Sequence, residues 1–382
     1  MHTQGLLAQV AEQLGRPVPE ELAAALRQVP RHLFLPETVG VRDGQGGYRP
    51  INRSTAPEEW MAAAYADQTL VTQFIDDLPS SSASMPSIVL RMLQLSQVTT
   101  PEGTRQQPFR AMELGTGTGF NAALLCALLG QGAVTTVELD PVLAEQGEQN
   151  LTAAGYAPTL VQADAAQGHS GSAPYAWVLA TFSVDRVPPA WIVQTAPGGR
   201  IVTPWTSAWC CYGTLALTVS PSGTAQGHFH DFASFMPMRR PGSGQEIENS
   251  ASAQTAPFEE AKSATALSPW AVAGGDLDAE FRLGLTVPGA FFSWDTTGEH
   301  APVRLRVEDT TSTSWATVDY DGTHTCEFTV TQAGPRHLWN EIADAYASWE
   351  NNDRLAVGRY GLTVHADGAH PPWLDSPDHP LA

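Results

Sequence analysis

Residues 112–121, Met-Glu-Leu-Gly-Thr-Gly-Thr-Gly-Phe-Asn, constrain the fold more than any other stretch of the chain. Gly115, Gly117 and Gly119 follow a short apolar run over 109–114 and precede Asn-Ala-Ala-Leu-Leu-Cys-Ala-Leu-Leu, which reads as a helix. The pattern is strand, glycine turn, helix. Glycine lets such a turn take positive φ and lets a ligand lie against bare backbone. A second strand, predicted near 133–139, ends beside Glu138 and Asp140. An acid there is placed to accept hydrogen bonds from ribose hydroxyls. Together these features predict a nucleoside-containing cofactor at the carboxyl edge of a parallel sheet.

The details favour S-adenosylmethionine over a dinucleotide. A pyrophosphate site calls for Gly-x-Gly-x-x-Gly, and the last position here is Phe120. Glu113 would also set a carboxylate near a cofactor phosphate. Beside a sulfonium and an amino group the same negative charge is favourable.

At 382 residues the chain has room for an α/β core and a second unit. Its 40 acids and 20 bases give a formal net charge of −20. That surface repels phosphate backbones, so nucleic acid is not expected as a partner. Cys126, Cys210, Cys211 and Cys326 form no Cys-x-x-Cys pair, and Cys126 falls within an apolar helix. A reducing, cytoplasmic setting without a disulfide framework is expected. Leu6, Leu7, Val10 and Leu14 follow an amphipathic helical period rather than a signal-peptide pattern. No apolar run reaches membrane-spanning length, and no membrane partner is expected.

Four segments are expected: an N-terminal helical cap over 1–78, a cofactor-binding core over 79–240, a linker over 241–266 and a small α+β domain over 267–382. Core strands are predicted near 110–114, 133–139, 158–163, 175–181 and 199–204. Asp140, Pro141 and Gly155 mark the ends of a helix after the second strand. Strands near 212–219 and 225–232 flank Pro221-Ser-Gly, a hairpin turn. The stretch 241–266 is rich in Ser, Ala, Gly and Glu and reads as a linker or long surface loop. Beyond it, strands are predicted near 302–307, 314–319 and 324–330, then a helix over 335–349 and a strand over 360–364.

Several motifs line up with a known family. They are Val29-Pro-Arg-His-Leu-Phe-Leu-Pro, Tyr65-Ala-Asp-Gln-Thr-Leu, Ser82-Ala-Ser-Met-Pro-Ser, Met92-Leu93, the glycine turn, Gly155-Tyr156, Val187-Pro188 and Gly198-Gly-Arg-Ile-Val-Thr-Pro. Over about 25–205 the chain resembles protein-L-isoaspartate (D-aspartate) O-methyltransferases. The resemblance implies a Rossmann-like α/β fold of the class I S-adenosylmethionine-dependent methyltransferases and carboxyl O-methylation. In that family a Thr-Ile-Ser-x-Pro segment lies over the methyl-transfer site, and its serine contacts the substrate carboxylate. Ser84 takes the serine's place here, beside Ser82 and Met85. The run from Ser80 to Pro86 and the segment 180–186, with Phe182 and Ser183, depart from the family pattern.

The serine-rich segment, Phe235-Met-Pro-Met-Arg and the tryptophan-rich C-terminal extension resemble a specialised branch. Its members act on ribosomally made peptides, including ATP-grasp-cyclised peptides and lanthipeptides. That likeness implies methylation of an aspartate in a cyclised precursor peptide, with collapse to aspartimide or isoaspartate. General isoaspartyl repair is the alternative, and a catalytically idle peptide-binding partner is a third. Six of the eleven tryptophans lie beyond residue 267; most are expected in a core, and one or two exposed ones would suit peptide recognition.

Ser84 is the expected catalytic contact, with a helix cap before Pro86 as the other reading. Ser82, Ser84, Met85, Phe182 and Ser183 are the expected substrate contacts. Ser80, Ser81 and Ser82 also read as loop or cap residues. Gly115, Thr116, Gly117, Gly119, Glu138 and Leu139 are expected to hold the cofactor. Asp164, with Ala165 beside it, matches the acid that binds the adenine amino group in related enzymes, and also reads as a cap. Glu113 either organises the turn or meets the cofactor's amino end. Asn121 is either a helix-start residue or a cofactor contact, and Asp67 either matches the family's Tyr-x-Asp segment or is a surface acid. Arg239 and Arg240 either hold an acidic peptide or solvate a surface. His228 and His230 share a strand, but no third ligand stands at a familiar spacing, and no metal is expected.

Overall fold

The computed structural model describes residues 2–98, 109–241, 258–298 and 301–381. The N-terminal segment begins with helices α1 (His2–Leu14) and α2 (Glu20–Gln28). Leu6, Leu7 and Val10 of α1 point into the core, as their spacing predicts. The rest of this segment is not a helical cap. Strands β1 (Thr38–Arg42) and β2 (Tyr48–Asn52), helix α3 (Pro57–Ala64), then β3 (Leu70–Ile75) and β4 (Leu78–Ala83) follow. The four strands form an antiparallel sheet in the order β2-β1-β3-β4. Ser80, Ser81 and Ser82 therefore lie in a strand paired with β3, not in a loop or cap. Helix α4 (Pro86–Ser96) begins immediately after them, with Pro86 fixing its first turn.

The core alternates as expected: β5 (Ala111–Leu114), α5 (Phe120–Leu129), β6 (Val134–Glu138), α6 (Pro141–Ala153), β7 (Thr159–Gln162), β8 (Tyr175–Ala180), α7 (Pro189–Gln194) and β9 (Thr195–Pro204). Asp140 caps α6 by accepting from the Val142 and Leu143 amides, and Gly155 leaves that helix at φ +83°. Strands β10 (Tyr212–Val219) and β11 (Ala225–Ser234) form the expected hairpin. The central sheet runs β9-β8-β5-β6-β7 in parallel, and the hairpin extends it antiparallel from β9. Parallel strands need both faces covered, which explains the fully buried runs of β5, β6 and β8.

Of the expected linker, residues 242–257 lie outside the described residues. Ala261–Thr265 is strand β12 rather than linker. Helices α8 (Pro269–Ala273) and α9 (Leu277–Thr286) follow, then β13 (Ala290–Asp295), β14 (Val303–Asp309), β15 (Trp315–Tyr320), β16 (Phe328–Ala333) and α10 (Leu338–Asn351). The strands form one antiparallel sheet in the order β12-β16-β15-β14-β13, with α9 and α10 packed together.

The C-terminal unit does not keep the expected span to residue 382. Strands β17 (Tyr360–Val364) and β18 (Pro372–Leu374) return to the central sheet, where β17 pairs with β11, completing nine strands. Phe281 of α9 stacks edge-on against Trp205 and Phe229 in the central core, with centroids 5.3 and 4.8 Å apart. Trp339, Trp349 and Trp373 are buried, while Trp270 is 41% exposed and stacks on Trp294.

Candidate active site

The glycine turn follows β5, whose neighbours β8 and β6 lead away in opposite directions along the sheet. This is the reversal point at which open α/β sheets bind ligands, outside the carboxyl ends of their strands. Gly115, Gly117 and Gly119 all take positive φ, at +95°, +51° and +86°. A side chain at Gly115 would meet Thr181 and Phe182, while above Gly117 the nearest atom is the Ser81 hydroxyl oxygen at 3.8 Å. The turn is thus a bare-backbone cradle, with Phe182 at one end and the serine strand above it. The Thr181 hydroxyl anchors it by donating to Gly115 O at 2.6 Å.

Glu113 is fully buried at the end of β5. One of its oxygens accepts from Asn121 Nδ2 at 2.7 Å and the other from the Thr136 hydroxyl at 2.5 Å. Thr136 shares a further hydrogen bond with Thr116 at 2.6 Å. Of its two expected roles, the geometry fits Glu113 to organising the turn, with Asn121, at the start of α5, as a partner. Thr116 likewise directs its hydroxyl inward. Burial pushes the Glu113 carboxyl up to about 7; hydrogen bonds from Thr136 and Asn121 oppose the rise, and the charge of Glu138 adds to it.

Glu138 stands at the end of β6. One oxygen accepts from Gly117 N at 2.9 Å, and the other from Leu139 N at 3.0 Å and Asp140 N at 3.1 Å. Three backbone amides thus fix this carboxylate at the end of the strand. At the end of β7, Asp164 caps a short 3-10 turn over Ala165–Gln167 through Ala166 N at 2.9 Å. The carbonyl of Ala165 accepts from the Trp191 indole at 2.7 Å. Glu138 and Asp164 thus both stand at the carboxyl edge of the parallel sheet, beside the glycine turn.

Ser84 sits just outside β4, half-buried, two residues before the start of α4. Met85 is the residue at the N-cap position, and no side chain of that position caps the helix. Asp67 supplies the bond instead, accepting from Ser87 N at 2.8 Å. The expectation of Asp67 as a surface acid gives way to a helix-anchoring role.

Arg31 was passed over in the sequence. It is 1% exposed, and its guanidinium donates to the carbonyls of Ala64, Ala66, Gln68, Ala83 and Ser84 at 2.9–3.2 Å. One buried cation thereby ties the Tyr65-Ala-Asp loop to the Ser84 loop. Burial draws its pKa down to about 10, against the opposing influence of Asp67 and Tyr65. The legible signal was an arginine flanked by Val29, Pro30, Leu33 and Phe34, an apolar setting that requires local partners.

Ser183 is corrected as a substrate contact. It is 1% exposed, and its hydroxyl donates to Phe235 O at 3.2 Å. Its backbone donates to Met236 O and accepts from Met238 N, both at 2.9 Å. Arg239, at the end of that segment, reaches Asp140 at 3.4 Å and Glu138 at 4.0 Å. Burial raises the Asp140 carboxyl, but the Val142 and Leu143 amides, Gln73 and Arg239 outweigh it and leave it below its ordinary value. His228 packs on Trp373, and among the described residues no group of three His, Cys, Asp or Glu side chains is placed to hold a metal ion. No described helix is long and apolar enough to cross a membrane.

Comparison with known proteins gives a consistent result. The family model for protein-L-isoaspartate(D-aspartate) O-methyltransferase matches residues 48–209. A protein-L-isoaspartate O-methyltransferase of Leptothrix cholodnii is 31% identical over 228 residues, 57% of this chain and 67% of the relative. One of Methanococcoides burtonii is 32% identical over 182 residues, covering 47% and 73%. Among solved structures, a protein-L-isoaspartate O-methyltransferase superposes with a TM-score of 0.55 at 18% identity, covering 98% of this chain and all of that one. Its likeness in fold extends through the C-terminal unit.

Proposed function

The chain belongs to the protein-L-isoaspartate O-methyltransferase family, and we propose that it methylates the free carboxylate of L-isoaspartyl residues with S-adenosylmethionine as donor. One arrangement carries this reading: the serine strand reaches the glycine cradle, with the Ser81 hydroxyl over Gly117, and Glu138 accepts from the Gly117 amide at the same sheet edge. Gly115, Gly117 and Gly119 offer backbone to the cofactor, Glu138 its ribose acceptor, and Asp164 an acceptor for the adenine amino group. The cofactor supplies an electrophilic methyl group on a sulfonium. The acceptor carboxylate is already ionised near neutral pH, so no strong base is required. The protein's task is alignment and exclusion of water. Ser84 orients the carboxylate by donating to one oxygen and leaving the other toward the methyl carbon. Arg31 and Asp67 hold its loop from behind.

Methylation of an aspartate in a cyclised precursor peptide is the second reading. What favours it is the serine-rich β4, the 181–186 segment and the 235–239 segment, which all meet around this crevice and depart from or add to the family pattern. The C-terminal unit no longer discriminates. Three substrates separate the readings: a flexible isoaspartyl peptide, its linear aspartyl twin and a side-chain-cyclised peptide with one ring aspartate. Isoaspartyl repair predicts the highest initial rate on the first. A clear preference for the cyclised peptide would replace it with the tailoring reading.

A further inference from the structure

The segment 235–239 leaves the end of β11 and, after Phe235, departs from that strand's place in the sheet. Its Met236 and Met238 backbones bracket Ser183, beyond the end of β8. Its Arg239 ends at Glu138 and Asp140, beyond β6. Strand β5 and its glycine turn lie between β8 and β6. The segment therefore passes over the cofactor crevice from one side to the other. Met238 is still paired with Ser183, so the two strand spacings of about 10 Å are crossed by the step to residue 239 together with the long Arg239 side chain. At its start, Phe235 packs with Met92, Val202 and Ala216.

The far end of this strap is tied differently. Backbone pairing and a buried hydroxyl hold the Ser183 side. The Arg239 side rests on an ion pair that is 30% exposed on the arginine and 14% on Asp140. Gln73 of β3 reaches the same Asp140 oxygen at 3.5 Å, and Ser80 of β4 donates to Gln73 at 2.7 Å. The β3-β4 hairpin and the strap, distant in sequence, thus converge on one carboxylate at the rim. We infer that Arg239 is a positioning residue that latches the strap over the bound cofactor and slows its escape, with Asp140 as the catch. This rests on the cofactor reading of the crevice.

The test uses the dissociation rates of S-adenosylmethionine and S-adenosylhomocysteine from the wild type, Arg239→Ala and Arg239→Lys, measured by stopped flow. The two ligands differ by one positive charge but share the nucleoside and amino-acid parts. A partly exposed ion pair of about 1 kcal/mol corresponds to a factor of about five. Opening the latch should release both ligands about three- to fivefold faster, with the lysine variant in between. Higher salt should accelerate release from the wild type and leave Arg239→Ala unaffected. If Arg239 acts only through its charge, its loss would slow release of the cationic donor and leave the neutral product unchanged, which overturns the latch. Equal rates in all three proteins overturn it as well. Failure of the wild type to bind either ligand would instead remove the cofactor reading on which the latch depends.

Discussion

Glu113→Gln tests the buried network beneath the glycine turn. In the wild type the carboxyl is pushed from an ordinary value of 4.5 to about 7 because it is wholly buried. The unfolded chain releases this proton near pH 4.5, and the folded chain keeps it until about 7. Between those values the native state holds more protons, so its stability falls as pH rises. The contribution is full below about 4.5 and lost above about 7. Each pKa unit is worth about 1.4 kcal/mol, so the whole window amounts to about 3 kcal/mol. Between pH 6 and pH 8 the linkage leaves about 1.4 kcal/mol. This range also stays above the sequence pI of about 4.8, where precipitation would interfere. Glutamine keeps an acceptor for Asn121, and its amide can donate to the Thr136 hydroxyl while Thr136 donates to Thr116. It carries no titrating proton. Urea unfolding followed by tryptophan emission should therefore show the stability difference, variant minus wild type, becoming more favourable to glutamine by about 1.4 kcal/mol from pH 6 to pH 8. A difference that is the same at both pH values would refute the assignment of Glu113 as the buried titrating acid.

Replacing Arg31 with Met strands five carbonyls in a buried setting and should cost on the order of 3 kcal/mol in thermal or urea unfolding; a neutral result would mean that the clamp does not stabilise its loops. Glu138→Ala should weaken S-adenosylmethionine binding by about 1–3 kcal/mol in calorimetric titration, and unchanged affinity in a folded variant would count against its ribose role. Ser84→Ala should slow methyl transfer while leaving cofactor affinity nearly intact. Full activity, or loss of cofactor binding, would show the serine to be misplaced.

The glycine-turn edge of the sheet was legible because its signals are local. The glycines at positive φ, Glu138 at the end of β6 and the Asp140-Pro141 helix start are each defined by their immediate sequence neighbours. The N-terminal sheet was not legible. Pro50 interrupts the strand pattern of β2, and the serines of β4 have weak strand preference; backbone pairing with β3 makes them a strand. Arg31 was obscured by its charge, since a sequence does not reveal that carbonyls 33 to 53 positions away will surround it. Ser183 read as a pocket residue because its partner, Phe235, is 52 residues distant. Strand β17 matched its predicted span, yet its place on the central sheet depended on β11, more than a hundred residues earlier.

The central claim is methyl transfer to an isoaspartyl carboxylate. The most direct measurement quantifies methyl ester and S-adenosylhomocysteine together, using an isoaspartyl peptide and its aspartyl twin of identical composition. The account predicts one S-adenosylhomocysteine for each methyl group gained on the isoaspartyl peptide, followed by methanol release as the ester closes to the succinimide, and little product from the twin. S-adenosylhomocysteine formed without methyl gain on the isoaspartyl peptide, or no turnover by a protein that binds the cofactor, would contradict it.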